Sequence, residues 1–167
     1  MAQIARNVNG KHTEILIQTY SDRVLVLVTQ LGKVANLVCS FIGLIKCSID
    51  LGDKIQASIP PTAPLLPPSQ ESSAPNTLAL PTPSPAIHLT PLLGSASSED
   101  LQTLHSLYAA QIATIIWTDE LNRKGDDSRR SVVVGLALAK VDDDEKIREV
   151  FQSIMSMLLE VLDKGAT

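Results

Sequence analysis

Residues 24–28 read Val-Leu-Val-Leu-Val, an apolar run with no polar break. The run shows no helical period and is rich in β-branched residues, which predicts a strand. Successive side chains of a strand point to opposite faces. Val24, Val26 and Val28 therefore go one way, Leu25 and Leu27 the other, and neither set suits water. A strand in a half-solvated sheet would alternate apolar and polar residues. Thr29, Gln30, Leu31, Gly32 and Lys33 supply turn chemistry, and Val34 starts a second apolar segment, so 24–38 reads as a hairpin.

The same reasoning places strands over 13–20, 23–30 and 33–41, with turns at Ser21-Asp22 and Leu31-Gly32. Residues 43–57 read equally as a further strand or an irregular excursion. A strand is predicted over 86–93, although Pro91 ends it or confines it to an edge. Ser97 or Ser98 then caps a helix, with Glu99 and Asp100 in its first turn. Leu101, Leu104, Tyr108, Ile112, Ile115 and Ile116 carry that helix to about Trp117. A polar loop over 118–130 leads to a strand over 131–140, again apolar on both faces. Asp142, Asp143 and Asp144 open a last helix, on which Ile147, Val150, Ile154, Met157 and Val161 step by three and four, and Lys164-Gly165 closes it.

The order of elements, with adjacent hairpins early and both helices late, predicts an α+β fold: an antiparallel β-sheet with two main helices on one face. All ten prolines lie between Pro60 and Pro91. Residues 58–92 are expected to be a flexible Pro-rich insertion in a single domain, with ordered parts at 12–57 and 86–164. Removing 62–85 should then leave folding and pairing intact.

Two helices cover one face of such a sheet and cannot cover both. The second face would leave an apolar patch larger than a monomer usually exposes. A partner sheet is the natural cover, which predicts a sheet-to-sheet dimer, homo- or heteromeric, with the helices outside. The other possibility is that 43–57 folds back as the missing layer. The strand argument names Val24, Val26, Val28, Val132 and Val134 as candidate partner-contact residues.

Composition narrows the function more than it identifies it. Aromatics make up 3% of the chain, which argues against sugar-binding or base-stacking surfaces. The net charge is −4 and no basic stripe occurs, so no nucleic-acid partner is expected. The N-terminal segment has no apolar core typical of a secretory signal, and no run is long enough to span a bilayer, so no membrane partner is expected and a soluble intracellular protein is. Cys39 and Cys47 sit in apolar settings and read as free core thiols ahead of a disulfide. No phosphate loop, GxSxG, HExxH or CxxC is present, so no catalytic residue, cofactor or metal is expected. His12, His88 and His105 are scattered, and His105 reads as an ordinary, partly exposed helix residue. The acidic run from Asp142 to Glu145 is explained by helix capping. Trp117, Met155 and Met157 read as core filling.

One stretch carries a resemblance. TEILIQTYSDRVLVLVTQLGKVANLV resembles the N-terminal half of the proteasome assembly chaperone 3 family, in which a strand ending in an aromatic precedes a short Ser-containing turn and an LVLVTQ-x-GK segment. The second half is similar in order: a strand ending Leu92-Leu93-Gly94, a helix, a V/L/A-rich strand at 132–139, and a final helix with Lys146, Arg148, Glu149 and Val150 in a K-x-R-E-V pattern. The insertion over 43–87 departs from the shorter linker typical of that family. The resemblance implies a non-enzymatic protein whose sheet pairs with a chaperone 4-like partner or with itself. It further implies binding to α-type subunits early in 20S assembly, help in ordering the α-ring, release as β-subunits arrive, and a location in the cytoplasm, or in cytoplasm and nucleus. Two readings remain beside it: a longin- or roadblock-like adaptor, and a small hydrolase or thiol enzyme using Cys39 or His105.

Overall fold

A computed structural model of the chain describes residues 1–30, 53–68, 79–93, 98–124, 129–141 and 143–164. The described residues form an α+β fold with a six-stranded, mostly antiparallel sheet and two long helices. β1 (Ala2–Val8) and β2 (Lys11–Thr19) form a hairpin whose two-residue turn is Asn9-Gly10. Both turn residues have positive φ, 49° and 74°, the geometry whose twist matches a tight hairpin. β3 (Arg23–Thr29) returns antiparallel to β2 through a turn closed by the Tyr20 N–H donating to the Arg23 carbonyl at 2.8 Å.

The sheet continues with β4 (Asp53–Ser58), β7 (His88–Leu93) and β8 (Ser131–Ala137), in the order β1-β2-β3-β8-β4-β7. The pairing of β3 with β8 is parallel, and those two strands are the centre. β3 thus takes β2 on one edge and β8 on the other. The expected hairpin strand over 33–41 lies outside the described residues. Of 43–57, the described part, 53–57, is a strand within the sheet, paired with β8 and β7, and not a separate layer. The sequence reading also missed β1, whose residues alternate too weakly to announce a strand.

α1 (Glu99–Lys124) crosses from β7 to β8, and α2 (Asp144–Lys164) runs back over β1 and β2. Both lie on the same face. The Ser98 hydroxyl caps α1 by accepting from the Leu101 N–H at 3.3 Å, and Asp143 caps α2 by accepting from the Glu145 N–H at 3.0 Å. The Asp143 carboxyl is held below its ordinary range by that backbone N–H and by Lys146. α1 runs seven residues past Trp117, through what reads in sequence as a polar loop. Leu121, Asn122 and Arg123 are exposed there, while Glu120 turns inward to pair with Arg130; Arg123 pairs with Asp119 at 2.7 Å and donates to the Leu162 carbonyl of α2 at 2.6 Å.

From Tyr108 to Trp117 almost every residue of α1 is buried, so sheet contact alone cannot account for it. α2 covers one flank, where Tyr108 meets Phe151 with ring centroids 5.0 Å apart. The ends of the Pro-rich stretch cover another. They form a small second sheet, β5 (Leu66–Pro68) with β6 (Pro81–Thr82), and they bury Ile59, Ala63, Pro81 and Ser84. The Gln111 amide donates to the Pro81 carbonyl at 2.9 Å, and the Arg129 guanidinium donates to the carbonyls of Pro60 and Ala63. The described ends of 58–92 are therefore part of the packed body.

These contacts reverse the expected result of removing 62–85. The deletion should leave the buried Gln111 amide without its carbonyl, at about 1–3 kcal/mol, and open the outer side of α1. A clear fall in the urea midpoint is expected, and an unchanged midpoint would show that this cover adds nothing.

Candidate functional site: the open face of the sheet

Burial alternates along β2, and along β3 as far as Val28, even where residue type does not; on β8 every residue from Val132 to Leu136 is buried. On β2, β3 and β8 the inward set is Thr13, Ile15, Ile17, Val24, Val26, Val28, Val132, Val134 and Leu136, all buried beneath the helices. The outward set on β3 is Leu25, Leu27 and Thr29, of which the two leucines are half-buried. Cross-strand partners share a face. The registers Leu16↔Leu27↔Gly135 and Gln18↔Leu25↔Val133↔Gln56 therefore define the outer surface.

That surface has a centre and a margin. Leu25 and Leu27 on β3 and Val133 and Ala137 on β8, with Leu16 beside them on β2, make an apolar strip, in which the leucines and Ala137 are half-buried and Val133 is buried. Glu14 and Gln18 border it on β2, and Lys54 and Gln56 on β4. A Cβ at Gly135 would stand 2.6 Å from Leu27 Cδ2, so the Leu27 tip lies over the glycine and the strip has no gap there. An apolar centre with a polar rim is the usual anatomy of a protein–protein contact.

The candidate contact residues read from sequence, Val24, Val26, Val28, Val132 and Val134, are exposed by 2, 0, 1, 0 and 0%. The chain covers them with its own helices. Among the described residues, the leucine set is what no helix covers.

Gln30 fixes the end of this surface. Its backbone N–H donates to the Ala137 carbonyl at 2.9 Å, its amide donates to Thr13 Oγ1 at 3.1 Å, and its Oε1 accepts from the Ala139 N–H at 3.2 Å. One buried side chain thereby ties β2 and the end of β8 to β3. The Gln of the VTQ-x-GK segment is a structural clamp.

The chemistry-bearing residues take other places. His105 is buried, where partial exposure was expected, with Nδ1 2.6 Å from Asp53 Oδ2, joining α1 to the start of β4. The Trp117 indole donates to the Arg130 carbonyl at 2.8 Å within the core, and Met155 and Met157 are fully buried. His12 and His88 are exposed on separate strands. Cys39 and Cys47 lie outside the described residues. Among the described residues no three potential metal ligands gather, and no helix is long and apolar enough to cross a membrane.

Two tests follow from this division. Val26→Asp buries a charge beneath the helices and should unfold the protein, at several kcal/mol. Leu27→Asp places the charge on the open face and should keep the thermal midpoint close to that of the parent. Equal behaviour of the two variants in a thermal melt would refute the assignment of faces. Separately, Gln30→Leu should lower stability by about 1–3 kcal/mol in urea titration, since it removes the clamp on Thr13.

No protein-family model matches the chain, and no curated protein matches it. Among solved structures it is similar to a chain in the crystal structure of a chaperone complex for yeast 20S proteasome assembly, at 10% identity and a TM-score of 0.47, over 94% of this chain and 97% of that one.

Proposed function

We propose that this protein is a non-catalytic chaperone of 20S proteasome assembly, which pairs through the open face of its sheet and, once paired, binds α-type subunits to promote the α-ring. The observation that carries the binding mode is the strip of half-buried leucines, Leu16, Leu25 and Leu27, with its polar rim, on the face that neither helix reaches. The LVLVTQ-x-GK segment, the order of elements and the K-x-R-E-V pattern point to the assembly role.

The mechanism needs only differential binding. The paired chaperone covers an α-subunit surface that would otherwise aggregate or pair wrongly, and the correct neighbour displaces it. Shape and charge complementarity at the subunit contact supply specificity, and moderate affinity permits release. No cofactor, metal, nucleic acid or membrane enters this scheme. The partner is a chaperone 4-like protein or a second copy, and the working compartment is the cytoplasm, or cytoplasm and nucleus.

The test uses the tagged full-length protein. Size-exclusion chromatography with mass measurement, with and without a co-expressed chaperone 4-like partner, should show a dimer that Leu27→Asp disrupts. Capture from cell extract should return proteasome α-subunits, identified by mass spectrometry, and Leu27→Asp should reduce their recovery. Small GTPases or trafficking factors in their place would favour an adaptor, and a monomer that captures no α-subunit would overturn the proposal.

A further inference from the structure

Three hydroxyl residues in the chain are followed by proline: Thr82-Pro83, Ser84-Pro85 and Thr90-Pro91. Proline-directed protein kinases accept a serine or threonine in extended backbone with proline next in the chain. Sequence does not distinguish among the three, and the structure does. Ser84 is buried, and its Oγ accepts from the Ala86 N–H at 3.3 Å in a local turn that the Ile87 N–H donating to the Ser84 carbonyl closes. Thr82 is half-buried in β6, in the segment that covers α1. Thr90 is exposed in the middle of β7, the strand at the sheet's edge, where only β4 pairs with it.

We propose that Thr90 is a phosphoacceptor for a proline-directed kinase. The kinase brings ATP as co-substrate. Thr90 Oγ1 forms a bond to the γ-phosphorus, the bond from that phosphorus to the β–γ bridging oxygen breaks, ADP departs with the electron pair, and the hydroxyl proton passes to the kinase's base.

The position gives the modification a consequence, which rests on the pairing role of the open face. Thr90 is opposite Gln56, so its side chain shares the face that carries Leu25 and Val133 in the same cross-strand row. A phosphothreonine adds about −1.5 to −2 charges on the same face, one strand beyond the polar border at Gln56. A partner sheet that covers the face out to its edge strand would have to desolvate the phosphate or stand away from it. The modification therefore belongs to the unpaired state and opposes pairing.

The full-length protein, incubated with a cyclin-dependent kinase and Mg-ATP, should take up one phosphate by intact mass, and peptide mapping should place it on Thr90. Thr90→Ala should abolish uptake, while Thr82→Ala and Ser84→Ala retain it. No uptake by the folded protein, or phosphate on Thr82 or Ser84 instead, would overturn the assignment. In the association assay above, the phosphorylated protein and Thr90→Glu should bind the partner at least about tenfold more weakly, with Thr90→Val unchanged and all thermal midpoints alike. Undiminished pairing of the phosphorylated protein would refute the regulatory consequence. A wild-type protein that does not pair would instead refute the assembly reading, and the site mapping would still decide the acceptor.

Discussion

The structure depends on one mismatch: a central strand pair apolar on both faces, and helices enough for one. Six strands about 4.8 Å apart present a face roughly 25–29 Å wide. Two helices, each about 10–12 Å across with side chains, fill that width once. Both pack on the same side, α1 against β4, β7 and β8 and α2 against β1 and β2. Val24, Val26, Val28, Val132 and Val134 become core, and Leu25, Leu27 and Val133 are left on the other face. The open face therefore follows from where the two helices pack and from the residue pattern of the strands beneath them.

Much of this was legible in the residues. The α+β class, β3, β8, both helix starts and the caps at Ser98 and Asp143 follow from local pattern. Which set of β3 faces outward was also readable, through β2. Glu14 and Gln18 share a parity with Leu16, and the turn at Ser21-Asp22 pairs Thr19 with Val24. That register sets Gln18 beside Leu25 and Glu14 beside Thr29, so the leucines keep the polar company. Long-range facts were not legible. That β3 and β8 pair in parallel, or that 53–57 inserts between β8 and β7, depends on which edges meet in three dimensions. The burial of proline-rich ends on α1 depends on Gln111 and Arg129 reaching backbone carbonyls, for which no local pattern exists. His105 looked like a surface residue because its partner, Asp53, is distant in sequence.

The motif that carried the resemblance has a structural reading of its own. In VLVLVTQ the alternation fills the core from one side and the open strip from the other, and the closing Gln30 locks three strand ends together. A buried glutamine costs stability unless its amide is satisfied, and here Thr13 and Ala139 supply its partners. Gly135 does a complementary job on β8, letting Leu27 lie flat across the strand where any side chain would lift it. A flat strip suits a sheet as its occupant better than a single inserted side chain, since flat surfaces gain contact over area and not depth.

The edges of the same sheet are weaker candidates for association than its face. β7 carries Pro91, which lacks a donor, and its pairing with β4 shifts register between Lys54 and Ile55, two devices that discourage strand addition. β1, at the other edge, is held down by the Arg6–Glu160 ion pair at 2.6 Å to α2. The face, by contrast, has an uninterrupted apolar centre and charges of both signs at its border, Glu14 on one side and Lys54 on the other. A narrow strip limits affinity, because only the central side chains are fully desolvated on contact. A mixed-sign rim penalises partners whose charges do not match. A narrow strip with such a rim therefore favours a selective and separable pairing over a permanent one.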